Sequence, residues 1–257
     1  MQSLVFVIPA YGRSPYLEQC IQSLLVQTVA CSIRITTSTP SEWLLEIANK
    51  YGIEIFINQE SKCIADDWNF ALKNGGPNLI TIAHQDDVYL IDYAENIIKY
   101  FQDHPDSAIA FSDMSELANE KRVNWNLRTT IKKVLLQCSF LASNTVKKSI
   151  SYRVLLSLGC PVPCPAVAYN KFLLHNFSFS REYQVNLDWN AWVTLINQGM
   201  KIGYIKKVLV LHRIHKDAET QKAIISRQRE REDLRIYHQF WPKWVVACLI
   251  YLYRLGY

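Results

Sequence analysis

Residues 3–8 form an apolar run of strand length, and a polar segment with helical spacing of apolar residues follows directly. Ser14 and Pro15 suit a helix start, and Leu17, Cys20, Ile21, Leu24 and Leu25 repeat at the period of one buried helix face. The alternation then recurs. Residues 32–37 read as a second, more polar strand. Thr39-Pro-Ser-Glu42 has capping-box spacing, Leu44, Ile47, Ala48 and Tyr51 give the face of the next helix, and Gly52 ends it. Residues 53–57 are a third strand, 64–73 a third helix stopped by Asn74-Gly-Gly-Pro77, and 79–83 a fourth strand. Strands alternating with helices over short connections predict an α/β fold, a mainly parallel sheet flanked by helices.

Past the fourth strand the pattern predicts a helix at 91–101, closed by His104-Pro105, and a strand at 108–112. From Asn119 the rhythm loosens. Helical pieces are expected at 131–142, 147–158 and 187–198, and short strands at 202–204 and 208–212. Residues 217–240 read as one long helix crowded with both charge signs, hence mostly solvent-facing. Trp241-Pro242 breaks it before an apolar segment at 244–252. As a helix that segment is about 13 Å long against a hydrocarbon core of about 30 Å, too short to span a bilayer. These changes divide the chain into residues 1–115, 116–215 and a helical extension at 216–257.

Composition adds two points. Hydrophobic residues make up 49% and charged residues 20%, the balance of a globular protein. The net charge of +5 is unevenly spread. Twelve Lys/Arg against five Asp/Glu follow Gly199, so the tail carries +7 and the body −2. A basic, aromatic C-terminal segment suits an anionic membrane surface or a solvated helix. The seven cysteines are scattered, and no h-region precedes Pro9, which together point to a reduced cytosol. Cys160-Pro-Val-Pro-Cys164 lacks a second Cys/His pair at finger spacing and reads as structural thiols.

Candidate chemistry begins where the fourth strand ends, in Gln85-Asp86-Asp87. One acid before a helix is by default a cap; two in a row after an apolar strand, with no local Lys or Arg, are costly unless a cation joins them. Hard carboxylate oxygens favour Mg2+ or Mn2+ over zinc. The first strand ends in Pro9-Ala10-Tyr11-Gly12-Arg13, which has a single glycine and so is neither a dinucleotide turn nor a P-loop. It offers a rigid turn, an aromatic ring and a guanidinium, groups that suit a nucleobase and a diphosphate.

Val7-Ile-Pro-Ala-Tyr-Gly-Arg13, Asn58, Ile64-Ala65 with Asn69 and Ala71, and Gln85-Asp-Asp87 together resemble, in order and spacing, a family 2 glycosyltransferase of GT-A (Rossmann-like) fold, over roughly residues 3–215. The resemblance implies that Pro9, Ala10, Tyr11 and Arg13 line the nucleotide, with Thr37, Ser38, Asn58 and Asn69 in the same nucleotide-sugar site. It implies that Asp86 and Asp87 form the DxD-type site, meeting the ribose or sugar phosphate and a Mg2+ or Mn2+ ion. Asn186-Leu-Asp188-Trp189 matches the segment carrying the catalytic acid, which makes Asp188 the general base. His212-Arg-Ile-His215 matches the segment that can place a histidine near the metal, with His212 taken before His215. Three positions depart from the family pattern. Thr36-Thr-Ser-Thr39 stands where acids usually hold the base and ribose, Cys63 where a glycine is usual, and His84 where a further Asp is common.

The implied function is metal-assisted, inverting sugar transfer from a nucleotide diphosphate-sugar, a UDP-sugar foremost, to a saccharide or lipid-linked acceptor. The implied setting is cell-surface polysaccharide biosynthesis in the cytoplasm, with no nucleic-acid partner; the basic, aromatic residues 216–257 suit docking on the cytoplasmic face of a membrane or, equally, packing on the body of the protein or on a second subunit. Residues 1–115 would then bind the nucleotide-sugar and residues 116–215 the acceptor. The alternatives are a nucleotidyltransferase, which would normally keep a glycine-rich phosphate loop, and an inactive module that binds saccharide or nucleotide.

Overall fold

The first strand is buried from Leu4 to Ile8, where every side chain is apolar. β1 (Leu4–Ala10) pairs in parallel with β2 (Ser32–Thr37) on one side and β4 (Leu79–Ile82) on the other, and β3 (Glu54–Ile57) continues beyond β2. The helices α1 (Leu17–Leu25), α2 (Glu42–Tyr51) and α3 (Ile64–Asn74) connect them. The computed structural model describes residues 3–123, 127–140, 145–146, 155–215 and 228–255.

The chain continues through β5 (Val88–Tyr89), α4 (Tyr93–Asp103), β6 (Ser107–Ala118), β7 (Lys121–Val123), α5 (Leu127–Ser139) and β8 (Thr145–Val146). After a short 3-10 turn come β9 (Val167–Asn170), α6 (Leu187–Asn197), β10 (Lys201–Ile214), α7 (Gln228–Tyr237) and α8 (Lys243–Leu255). The sheet runs β3-β2-β1-β4-β9-β6-β10-β5, with β7 on β6 and β8 on β10. Strands β3, β2, β1, β4, β6 and β10 run the same way, and β9 lies antiparallel between β4 and β6. The expected mainly parallel sheet is therefore present in mixed form.

Alternate residues of β1 feed two apolar layers. Leu4, Phe6 and Ile8 join Leu17, Leu44 and Ile97 of α1, α2 and α4. Val5 and Val7 join Trp68 of α3, Trp192 of α6, Ile236 of α7 and Val246 of α8. Period-two alternation in a strand thus decides which helices cover which face.

Several local expectations change. α1 begins at an N-cap of Tyr16 with no side-chain cap, while Ser14 Oγ accepts the Tyr16 N–H. Ser41 rather than Thr39 caps α2, accepting from Leu44 N–H, which frees the Thr39 hydroxyl for the site. Gly52 ends α2 in the left-handed region (φ 64°) as expected. The two strands expected at 202–204 and 208–212 are one, β10. Its register on β6 shifts between Ile205 and Val208, and the exposed Lys206 and Lys207 at that shift imitate a loop in sequence. The short, wholly buried β9 carries no alternation and was not foreseen. Most of the helix expected at 147–158, and the first part of that expected at 217–240, lie outside the described residues. The described part of the latter, α7, is not mostly solvent-facing: Glu232, Asp233, Ile236 and Tyr237 are buried.

Candidate functional site

The turns after β1, β2 and β4 meet at the carboxyl ends of their strands, where open α/β sheets bind ligands. Gly12 sits in the left-handed region (φ 62°) and gives its N–H to Thr39 Oγ1 at 2.7 Å. The Gln85 side chain clasps Tyr11, accepting its N–H at 3.2 Å and donating to its carbonyl at 3.1 Å. Pro9 and Ala10 end β1, and the Tyr11 ring is 63% exposed above them. The Arg13 guanidinium lies 5.4 Å from the Trp43 ring, in a hollow of about 320 Å³ shared with Ser14, Pro15 and Glu18.

At the end of β2 Thr36 and Thr37 are buried, and Ser38 and Thr39 just beyond it are half-buried. Thr37 Oγ1 accepts the Thr39 N–H, and the Thr37 carbonyl accepts the Asn58 N–H at 2.7 Å. Asp67 gathers the next two groups, accepting from Asn58 Nδ2 at 3.1 Å and Ser38 Oγ at 3.0 Å. An acid thus meets this turn from α3. Asn69 stands apart from this group: its amide pairs with both backbone groups of Phe179, at 3.0 and 2.7 Å. Asn58 and Asn69 line a second hollow of about 510 Å³ with Asp66, Lys73 and Arg181.

Asp87 is 0% exposed. Its Oδ1 accepts the Arg213 backbone N–H at 2.8 Å, and His212 Nδ1 lies 3.0 and 3.2 Å from its two oxygens. Burial pushes the Asp87 carboxyl up, but the charge and hydrogen bond of His212, with His84 and the Arg213 N–H, hold it below the usual range. Burial pulls His212 down in turn, and the Asp87 carboxylate outweighs this and raises it. Asp86 is half-buried and takes His215 Nε2 at 2.8 Å. The buried Arg213 bridges from the Asp86 carbonyl at 2.9 Å to Glu120 and Gln19, with its guanidinium 4.3 Å from the Tyr16 ring.

One ligand atom each from His84, Asp86 and Asp87 lie within 4.8 Å of one another. His84 Nε2 is buried and has no partner among the described residues. The nitrogen that faces the acids is the other one, Nδ1, 3.9 Å from Asp87 Oδ2, and it is this atom that a cation shared with the carboxylates would take. Two carboxylates with one imidazole suit Mn2+ or Mg2+. The residues present therefore fit a divalent ion. His212 stands behind Asp87 rather than in that trio. His84, met in the sequence only as a departure from an acid, is the third member of this candidate cation site, and its position directly before Gln85-Asp86-Asp87 was the available signal. His215 pairs with Asp86 as closely as His212 does with Asp87, and residue spacing gave no reason to rank one first.

Asp188 lies in the first turn of α6, whose N-cap is Asn186, so it is not the cap itself. Its Oδ1 accepts the Trp189 N–H at 2.7 Å. Burial raises its pKa, partly offset by the Trp189 N–H and the charges of Arg229, Lys132 and His84. His84 therefore acts electrostatically on both Asp87 and Asp188. Cys160 and Cys164 are free thiols pushed up by burial, with Asp188 adding to both. They behave as small apolar groups under the site.

The family model described as Glycosyl transferase family 2 matches residues 5–168. Among solved structures, S. aureus TarS 1-349 in complex with UDP-GlcNAc superposes with a TM-score of 0.64 at 15% identity, over 93% of this chain and 71% of that one. Mannosyltransferase PcManGT from Pyrobaculum calidifontis, in complex with GDP-Man and Mn2+, gives 0.66 at 13% identity, over 93% and 64%. The chain spans 42% of the longer TarS structure. Comparison with curated proteins finds no match. At these identities the structural likeness is one of fold, the GT-A arrangement of a curled mixed sheet with flanking helices. The matched span covers the turn after β1, Asn58, α3 and Asp86–Asp87, and through it the chain belongs to glycosyl transferase family 2.

Proposed function

We propose that this chain transfers a sugar from a nucleoside diphosphate-sugar to a hydroxyl of a saccharide or lipid-linked saccharide, inverting the anomeric carbon, in the building of a cell-surface polysaccharide. The observation that carries the reading is the His84–Asp86–Asp87 cluster, whose candidate ligand atoms lie within 4.8 Å of one another at a strand end. A Mg2+ or Mn2+ ion held by these three residues would neutralise the diphosphate as it leaves. His212 and the Arg213 N–H keep Asp87 ionised and oriented for that role.

The donor lies along Pro9, Ala10, Tyr11 and Arg13, with Thr37, Ser38 and Asn58 toward base and ribose, and the Arg13 guanidinium toward the phosphates. Donor complexes of the two neighbours, UDP-GlcNAc with TarS and GDP-Man with PcManGT, support a nucleotide-sugar, and we take a UDP-sugar as the first to test. Asp188 accepts the proton of the acceptor hydroxyl as its oxygen attacks the anomeric carbon. The bond from that carbon to the diphosphate breaks on the opposite face, which inverts the configuration. The raised pKa of Asp188 strengthens it as a base. In this reading residues 1–115 hold the donor and 116–215 the acceptor and base.

No helix among the described residues is long and apolar enough to cross a membrane. Trp244 on α8 is 72% exposed beside Lys243, which supports peripheral docking of residues 216–257 at the cytoplasmic face. The test is a panel of nucleotide-sugars incubated with acceptor and Mg2+ or Mn2+, with and without chelator. Metal-dependent release of nucleoside diphosphate and a product of inverted configuration are expected. Pyrophosphate formed when a nucleoside triphosphate and a sugar 1-phosphate replace the nucleotide-sugar would mark a nucleotidyltransferase, and binding without turnover an inactive module; either result overturns the proposal.

A further inference from the structure

The start of the Asp188 helix is held from elsewhere in the chain. Asn186 occupies the N-cap position of α6 and its side chain makes no capping bond. Instead, three successive backbone N–H groups leading into the helix converge on Glu232 of α7. Gln184 donates to Oε1 at 2.9 Å, and Val185 and Asn186 donate to Oε2 at 2.9 and 2.8 Å. Gln228, one turn earlier on α7, donates to Oε1 at 2.8 Å. Asp233 accepts from Asn186 Nδ2 at 2.7 Å. Both acids are buried, Glu232 completely. Trp189, the residue after Asp188, meets the Tyr237 ring of α7 edge-on at 5.2 Å.

A carboxylate is acceptor-only, with about four lone-pair sites on two oxygens, so one Glu can hold all four donors at once; an amide in its place has a single acceptor oxygen. Burying such a charge gains little net stability over apolar packing, but it fixes a single arrangement of the groups around it. Here the fixed groups are the backbone that aims Asp188.

We infer that Glu232 and Asp233 are positioning residues for sugar transfer, which makes α7 part of the catalytic apparatus rather than an appendage to it. The inference rests on Asp188 as the general base. Glu232→Gln turns one acceptor oxygen into an NH2 group that faces a backbone donor. It is expected to lower kcat about 10- to 100-fold, in line with the cost of a small misplacement of a catalytic group, while KM and Kd for the donor stay unchanged.

The deciding measurement is a double-mutant cycle on the residual transfer of the Asp188→Asn protein. There Glu232→Gln should cost less than about twofold, because the group it aims has gone. An equal penalty in both backgrounds, or an unchanged kcat in Glu232→Gln alone, overturns the positioning role. Full activity of Asp188→Asn alone overturns the base assignment, and the positioning role with it. Should Glu232→Gln fail to fold, Asn186→Ala removes only the bond to Asp233. It is expected to lower kcat several-fold with the same loss of effect in the Asp188→Asn background, and an equal cost in both backgrounds would again overturn the inference.

Discussion

Of the three acid doublets in this protein, two, Asp86–Asp87 and Glu232–Asp233, have one member that is completely buried. Around the first are ionisable side chains: His84, His212, His215 and the bridging Arg213. Around the second are backbone N–H groups and neutral amides. Burial acts on both, with opposite results. Imidazoles hold Asp87 below the ordinary carboxylate range, whereas burial pushes Asp233 up to about 6. The first doublet gathers one ligand atom each from His84, Asp86 and Asp87 within 4.8 Å, a set that suits a cation. The second is a knot of hydrogen bonds tying two segments together. What faces a pair of acids, more than the pair itself, decides whether it does chemistry or holds structure.

The sharpest way to break this contrast is at Asp87. Asp87→Ala leaves the Arg213 N–H and His212 facing a void, and loss of one partner from a buried pair costs about 3–5 kcal/mol. Metal-dependent binding of nucleoside diphosphate should vanish, read by calorimetric titration with and without Mn2+. Unchanged metal-dependent binding in a folded Asp87→Ala protein would falsify the metal role of the first doublet.

Asp188→Asn comes next in size. The side chain keeps its shape and loses its basicity, so kcat should fall about 10²- to 10⁴-fold with donor affinity intact. In the wild-type protein the same base sets an acid limb in kcat. Because burial raises Asp188, that limb should lie above the ordinary aspartate range of about 3.9. A limb at or below that range would show that another group governs the rate.

The first doublet was legible in the sequence because an apolar strand ends in it and a helical pattern resumes just after. A carboxylate at the end of a buried strand has few ordinary uses. The second was not legible. In residues 217–240 the two acids lie among Arg229, Glu230, Arg231 and Arg235, which looks like a solvated face. Their partners, Gln184 to Asn186, lie more than forty residues upstream, and no local pattern announces so distant a bond. His84 was missed for a related reason: its buried, unpartnered Nε2 is a fact of packing against Trp68. The alternation that built the sheet was readable up to β4. It failed at β9 and β10, where complete burial and a register shift erase the period-two signal.

Asp233 offers a stability test of the second doublet. Burial raises its pKa first of all, Glu232 and Glu230 add to this, and Arg229 and the Asn186 hydrogen bond partly offset it. The native state then binds more protons than the unfolded chain between the unfolded pKa near 3.9 and the folded value of about 6. Stability should therefore fall as pH rises through that window and stay low above it, by roughly 3 kcal/mol from this group. Asp233→Asn keeps an oxygen for Asn186 and cannot titrate. The difference in unfolding free energy between variant and wild type should shift by that amount, in favour of the variant, from pH 4 to pH 8. Urea titrations across the range read it directly, and parallel curves would mean that Asp233 is not buried as a charge.

The smallest effect concerns the two faces of α8. Val246 and Ile250 are buried in the core beneath α6 and α7, and the Trp241 indole donates to the Ser157 carbonyl at 2.8 Å. Deleting the chain from Trp241 would remove about 1.5–3 kcal/mol for each of the two aliphatic side chains, so weakened vesicle binding by that truncation could reflect unfolding alone. Trp244 points the other way, 72% exposed. Trp244→Ala should leave the melting temperature unchanged and weaken binding to anionic vesicles by about 1 kcal/mol, roughly fivefold. Loss of binding with Tm preserved would assign the outer face of α8 to the membrane. Unchanged binding would leave α8 as a packing helix, whose contribution to function runs through the Glu232 knot on α7.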